Sequence, residues 1–458
     1  MPSLLTHHPA SYRDPSGFIF EKHGILYRQV NTNFKKDFDH FIQSGCYEKM
    51  VKKGLLLPHE IVNENLTQTN DWYLTLKPEK IRFISYPYEW SFGMLKDAAL
   101  LTLQLVKESI TAGLILKDAT PYNIQWHKGK LIFIDTLSFE KYNEEEPWIA
   151  YRQFCENFLS PLLLIHYGRI PSLQFMLAYP EGIPLTLTRT LLPGKSKFSL
   201  HTYLHIHLHA KLAAANAGKK QKAVKFSKQK LLNLISSLEG LINKLRLPAG
   251  KSNWSAYYEE ASQRKDYLEQ KRKIIELWLG DLKNISYAAD LGANEGEFSR
   301  LLSEKNIPTL AADFDHFAIN KLYNKIKEKK EEKIQPLVID ISNPSPASGL
   351  NNEERESFIN RTHVDLILAL ALVHHLAIGK NIPFEKISEL LAGICNYLII
   401  EFVPKDDLKV KQMLNQKKDI YLLYDERNFI NAFQQNFSFL TNRKIPGTNR
   451  ILFLMKKI

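Results

Sequence analysis

The spacing of apolar and polar positions divides the chain into two stretches of different rhythm. In the first, short runs at 17–20 and 24–30 flank a turn and predict a β-hairpin. Phe34, Phe38, Phe41 and Ile42 then recur at helical spacing within 33–53, residues 81–86 are strand-like, and 91–113 form an amphipathic helix closed by a glycine. Residues 114–134 read as strand, loop, strand, with 127–130 as the turn between the last two runs. Aromatic and leucine-rich faces predict helices from 146 to about 192, and 231–245 is a further helix ended at Pro248-Ala249-Gly250. Between these, 194–230 is polar and basic, and the part near 210–230 is expected to be the most mobile of the chain.

The second stretch opens with a predicted long helix at 255–282 and then alternates strands with helices. Apolar, strand-length runs lie at 286–290, 309–313, 336–340, 364–372 and 397–403, separated for the most part by helical stretches at 297–305, 317–330 and 384–394. Alternation of this kind predicts an α/β fold, a parallel sheet covered on both faces. Residues 451–455 close the chain as a strand expected at an edge or antiparallel. Two domains follow, 1–250 and 251–458, consistent with a length of 458 residues.

Composition narrows the class. Hydrophobic content of 44% with 24% charged residues excludes a disordered or fibrous chain. The longest apolar run, 364–373, is too short to span a bilayer, so no membrane partner is expected, and the N-terminus lacks the basic and apolar regions of a secretory signal. Three widely spaced cysteines give neither a disulfide framework nor a metal cluster, which points to a reducing cytoplasm. The net charge of +12 favours acidic partners. Much of it lies in lysine-rich stretches at 218–230 and 325–333, read as a solvated loop and a helix end, so nucleic acid is not expected as a partner.

Chemistry concentrates where the second stretch begins its alternation. Residues 287–296 read YAADLGANEG: Asp290 ends a buried strand, Gly292 and Gly296 line the turn, and a helix starts at about Phe298. In an open α/β sheet the ligand crevice lies at that strand end. A glycine-rich turn alone is a weak signal, because dinucleotide sites use one too. Here, however, an acid precedes the first glycine, where a pyrophosphate would be repelled, and the next two strands also end in acids, Asp313 and Asp340. S-adenosylmethionine carries a sulfonium, an amine, a ribose diol and an adenine amine, and no phosphate. Acids at successive strand ends suit those groups.

This set, followed by VDLILALALVHHL, resembles the class I S-adenosylmethionine-dependent methyltransferases over about residues 255–458. The resemblance implies a Rossmann-like seven-stranded sheet with S-adenosylmethionine as methyl donor. It implies Asp290 beside the methionine end, Asp313 (or Asp315) on the ribose hydroxyls and Asp340 on the adenine amine, with Gly292, Asn294 and Gly296 forming the turn. His374 and His375 follow the fourth strand and are expected to face the acceptor, where a histidine could act as base near neutral pH. Glu401 is a further cleft position.

In the first stretch, Asp118 and Asn123 lie on a loop between strands and Asp135 ends the next strand. This Asp-x-x-x-x-Asn…Asp pattern resembles kinase-like and aminoglycoside-phosphotransferase-like folds. It implies Asp118 as base, Asn123 and Asp135 as magnesium ligands, and Mg-ATP as cofactor of an α+β domain. No lysine occupies the second hairpin strand; Arg28 is the nearest cation, with Glu48 or Glu60 as its helix partner. The whole chain is also similar to a group of bacterial two-domain methyltransferases that includes nodulation-type proteins.

Two other patterns are given structural roles. His201, His205, His207 and His209 fit one face of a half-buried strand better than a zinc site, and Trp254, Tyr257 and Tyr258 fit a packed helix better than base stacking. The expected activity is therefore methyl transfer to a small-molecule or saccharide-like acceptor. Alternatives are a non-catalytic S-adenosylmethionine- or nucleotide-binding regulator and a nicotinamide-dependent oxidoreductase.

Overall fold

The computed structural model describes residues 5–144, 146–215, 226–250, 265–415 and 419–458. Contacts divide it into two compact units, residues 1–249 with 348–355, and residues 250–347 with 356–458.

The first unit begins with five antiparallel strands: β1 (Leu5–His7), β2 (Gly17–Lys22), β3 (Ile25–Asn31), β4 (His59–Val62) and β5 (Trp72–Pro78), in the order β1-β2-β3-β5-β4. The β2–β3 turn is made by His23 and Gly24, both at positive φ, the twist that a two-residue hairpin requires. The helical pattern after β3 is two helices rather than one, Lys35–Gln43 and Cys46–Lys52, broken at Gly45 with φ 72°. Residues 81–86 form no strand; Ser85 instead exchanges two hydrogen bonds with the Gln125 side chain, at 2.9 and 3.0 Å, which satisfies its backbone without a sheet.

The helix Phe92–Thr111, capped by Ser91, leads into β6 (Leu114–Leu116), the hairpin β7 (Ile124–His127) and β8 (Lys130–Phe133), and β9 (Phe139–Lys141), which pairs with β6. The remainder of this unit's main stretch is largely helical. One expectation fails here: the histidine-rich segment is not a strand. Leu200–Thr202, Tyr203–Leu208 and His209–Ala215 follow one another as a single helical path with a wide, π-type turn in its middle. The reason is in the contacts, because alternate histidines do not share a face: His205 bonds Tyr151 Oη (2.7 Å) and Ser237 Oγ (2.8 Å), while His207 bonds Ser196 Oγ (2.8 Å). Among the described residues no group of three or more His, Cys, Asp or Glu could hold a metal. The basic residues 216–225, and Trp254, Tyr257 and Tyr258, lie outside the described residues.

The second unit is a seven-stranded sheet of β10 (Ala288–Leu291), β11 (Thr309–Asp313), β12 (Ile334–Val338), β13 (Val364–Ala369), β14 (Cys395–Phe402), β15 (Phe437–Lys444) and β16 (Ile451–Lys457). Its order is β12-β11-β10-β13-β14-β16-β15, with β16 antiparallel to both neighbours. This is an α/β, Rossmann-like sheet. One face packs on the helix Lys265–Asp281 through Ile275 and Trp278 against Leu366, Leu368, Ile399 and Leu454. The other face carries an aromatic cluster in which Phe429 lies 5.1–5.5 Å from the rings of Phe384, Phe402 and Phe453.

The last strand is antiparallel, one of the two expected arrangements, and lies inside the sheet rather than at its edge. The edge belongs to β15, a strand the apolar pattern does not reveal, because its register shifts between Phe439 and Thr441 and most of its residues are solvent-facing. No helix among the described residues is long and apolar enough to cross a membrane.

Candidate functional site

The site of the second unit is built at the ends of β10 and β11. Asp290 is carried into the core by an apolar strand and is 2% exposed; its Oδ2 accepts from Ser299 Oγ at 2.7 Å. Burial raises its carboxyl to about 6, against the opposing pull of Ser299 and the Lys271 charge. Beyond it the chain turns through Gly292, Asn294 and Gly296, all at positive φ. The N–H groups of Gly292 and Ala293 both donate to Ala312 O (2.8 and 3.1 Å), tying the turn to the end of β11.

The two glycines are required for different reasons. A Cβ on Gly292 would meet only Leu372, at 3.6 Å, so the backbone there is open to a ligand. A Cβ on Gly296 would meet Leu322 Cδ1 at 2.6 Å and would sit at φ 79°, so a side chain there strains the start of the helix Glu297–Glu304 and displaces the tip of Leu322. Gly296→Ala is therefore expected to cost about 1–2 kcal/mol for its left-handed backbone alone, read as a lower urea midpoint of the full chain, with an added cost for moving Leu322.

Asp313 completes the corner. Its Oδ2 accepts from the Asn294 N–H (2.8 Å) and its Oδ1 from the Asp315 N–H (2.9 Å). Burial raises it to about 6; the two N–H groups oppose the shift, and the nearby Asp315 and Asp290 charges add to it. Asp290 and Asp313 thus lie within electrostatic reach of each other on adjacent strands. Asp315 caps the helix His316–Lys329, accepting from the Phe317 and Ala318 N–H groups at 2.9 and 3.2 Å, which favours Asp313 for a ligand. Asp340 lies two residues past β12, where its Oδ1 accepts from the Ser342 N–H and Oγ, and Lys380 Nζ is 3.6 Å from its Oδ2.

The histidine pair follows β13, its rings 4.0 Å apart. His374 is 2% exposed and its Nδ1 has no hydrogen-bond partner. Burial, His375 and the charges of Arg450 and Lys271 hold His374 well below its ordinary value; burial with Arg450 and Lys409 holds His375 at about 4. Both rings are thus shifted toward the neutral form.

Glu401 is not an open cleft carboxylate either. It is fully buried and accepts from Lys271 Nζ and Tyr267 Oη, each at 2.6 Å, with Arg450 Nη1 at 3.4 Å. Arg450 in turn holds Asp407 through two bonds of 2.8 and 3.1 Å. Lys271, at 2% exposure, is buried with Glu401. The sequence does carry a signal for this network: Lys271 falls in the stripe Tyr267, Lys271, Ile274, Ile275, Trp278, where every other member is apolar or aromatic.

In the first unit, Asp118 accepts from Asn123 Nδ2 (3.0 Å) and Gln153 Nε2 (2.6 Å), and burial followed by the Asp135 charge raises its carboxyl. Asp135 is ion-paired with Arg28 and also accepts from Ser138 Oγ and the Leu137 N–H; burial would raise it, but Arg28 and Ser138 hold it below the ordinary range. Glu60 pairs instead with Lys77 (3.3 Å), so the expected helix partner of Arg28 is replaced by Asp135.

No family model matches the chain. It is similar to the nodulation protein NoeA of Rhizobium meliloti (strain 1021), with 31% identity over 457 residues, 98% of this chain and 95% of that protein. Among solved structures, the bifunctional kinase-methyltransferase WbdD is 18% identical over 43% of this chain and 39% of its own, with a TM-score of 0.30. The chain thus spans about two fifths of WbdD. The N-methyltransferase NodS of Bradyrhizobium japonicum WM9 is 13% identical over 43% of this chain and 96% of its own, also at 0.30. By its identity along nearly the whole of both sequences, the chain belongs to the family of the nodulation protein NoeA.

Proposed function

We propose that the second unit binds S-adenosylmethionine and transfers its methyl group to a small-molecule or saccharide-like acceptor. The observation that carries this reading is the corner itself: two buried, acidic strand ends beside a turn whose Gly292 backbone is open. These groups fit the donor's chemistry, since Asp290 suits its cationic end, Asp313 its ribose diol and Asp340 its adenine amine. When bound, the donor supplies a methyl carbon activated by the sulfonium. This chain's residues position it: Asn294 and Asp315 orient the Asp313 carboxylate through their N–H groups, and Ser299 orients that of Asp290. Positioning and exclusion of water supply much of the acceleration in an in-line displacement. His374 and His375, which follow β13, are the residues we assign to the acceptor side; burial and nearby cations shift both toward the neutral form, in which an imidazole can accept a proton. Mass spectrometry of cell extract incubated with the protein and a donor carrying an isotopically labelled methyl group tests the reading. A new labelled product supports it, and unlabelled extract despite donor binding favours a regulatory role.

The raised acids predict a pH dependence. Asp290 and Asp313 titrate at about 6 in the free protein, above their ordinary value. Their contribution to the stability of the unliganded unit is therefore present in full below about 3.8 and lost as pH rises through about 6. A cationic, hydroxyl-bearing ligand favours the ionised carboxylates. Donor affinity is thus expected to rise with pH up to about 6 and to level off above it; titrations between pH 5 and 8 check this, and a flat profile contradicts it.

For the first unit we propose a kinase-like arrangement with Asp118 as the group that meets an acceptor hydroxyl, and Asn123 and Asp135 beside it. Supporting this are the Asn123–Asp118 hydrogen bond and the proximity of the Asp118 and Asp135 charges. The donor set fits Mg-ATP only in part, because the Arg28 guanidinium already neutralises Asp135. Equilibrium dialysis of the full chain with Mg-ATP tests the arrangement: binding that Asp135→Ala removes supports it, and absence of binding to the wild type rejects it. The cytoplasm is the compartment we assign to the protein, on the strength of three buried, unpaired thiols at Cys46, Cys155 and Cys395.

A further inference from the structure

Between Glu181 and Glu239 the chain contains ten lysines and arginines and no carboxylate, against a net charge of +12 for the whole sequence. Within that stretch the helical path Leu200–Ala215 buries one side and leaves the other bare. The buried side is pinned by polar contacts: His201 and His205 share Ser237 Oγ (2.7 and 2.8 Å), His205 also bonds Tyr151 Oη, and Ile206 and Ala210 pack inside. On the opposite side, Leu200, Tyr203 and Leu204 recur at helical spacing and are 66, 42 and 41% exposed. Phe198, just before the helix, is 92% exposed, and Leu212 is 51% exposed. Lys195 and Lys197, which precede the path in sequence, and Lys211 within it are exposed.

We propose that this face is a docking surface for a membrane of anionic phospholipid. A helix held through its buried side, with an aromatic and aliphatic outer face and lysines before and within it, has the two components of interfacial binding, apolar area for the acyl boundary and positive charge for the headgroups. The lysine stems can lie along the apolar surface while their ammonium groups reach outward. Aliphatic leucines at the centre of the face distinguish it from a nucleic-acid surface, where phosphate contacts and stacking planes dominate. A bilayer-spanning segment is not needed for this contact, so the lack of one in the sequence does not bear on it. The inference is independent of the methyl-transfer reading and of the kinase-like one.

Co-sedimentation of the full chain with vesicles tests it, comparing phosphatidylcholine alone with phosphatidylcholine mixed with phosphatidylglycerol. The protein is expected to pellet with the anionic vesicles, to remain soluble with the neutral ones, and to be partly released by salt. Reversing two exposed charges in Lys195→Glu/Lys197→Glu should lower partitioning at least roughly twenty-fold, and Phe198→Ser/Leu204→Ser should lower it further at unchanged thermal stability. Both pairs are exposed, so the lysine variant keeps the test decisive if the apolar variant unfolds. Equal binding to both vesicle types, binding that the lysine variant retains, preferential capture of duplex RNA, or self-association abolished by Phe198→Ser/Leu204→Ser would each overturn the proposal.

Discussion

Replacing Asp313 by alanine is expected to weaken S-adenosylmethionine binding by about a hundred-fold or more, the loss of two hydrogen bonds to a charged acceptor at roughly 1.5–3 kcal/mol each. The effect has two sources. The carboxylate is the acceptor proposed for the ribose hydroxyls, and it also fixes the Asn294 and Asp315 N–H groups at 2.8 and 2.9 Å. Asp313→Asn separates them, because the amide keeps one acceptor but loses the charge and one backbone contact. Its affinity should fall between that of the wild type and the alanine variant. Equilibrium dialysis with labelled donor measures both, with circular dichroism showing that the sheet is retained. An alanine variant that binds as the wild type does would remove Asp313 from the site.

The second large effect concerns stability. Glu401→Ala leaves Lys271 and Arg450 buried without their shared counter-ion, and breaking a buried pair in this way costs about 3–5 kcal/mol. In a unit of this size such a loss lowers the thermal transition by about 10 °C. Lys271→Met/Glu401→Leu should recover most of it, since the charges are replaced by apolar volume and Arg450 keeps Asp407 at 2.8 Å. Thermal scans of the full-length variants give the comparison. A Glu401→Ala protein within about 1 kcal/mol of wild type would mean that the network contributes little.

Much of the second unit can be read from its sequence for a physical reason. Parallel strands buried on both faces are continuous apolar runs, and the acids Asp290, next to the end of β10, and Asp313, at the end of β11, interrupt those runs visibly. The strand β15 is illegible because its apolar alternation stops after Phe437 and Phe439, where the register shifts, and the rest of the strand is largely polar and exposed. The histidine-rich segment misleads in the opposite way: alternation of His with Leu and Ile imitates a strand, while the bonds to Tyr151, Ser196 and Ser237 that hold it as a helix join residues distant in sequence. The weak basicity of His374 and His375 is invisible for the same reason, since it arises from burial and from Arg450, which is far along the chain. Lys271 is the exception, a buried charge that its place in an apolar stripe does announce.

The most direct test of the central claim is a calorimetric titration of the full-length wild-type chain with S-adenosylmethionine, S-adenosylhomocysteine and a nicotinamide dinucleotide. The acidic corner of Asp290, Gly292 and Asp313 predicts one site that binds both sulfur nucleosides and excludes the dinucleotide, whose pyrophosphate the buried carboxylates repel. Binding of the dinucleotide alone, or of none of the three, would contradict it.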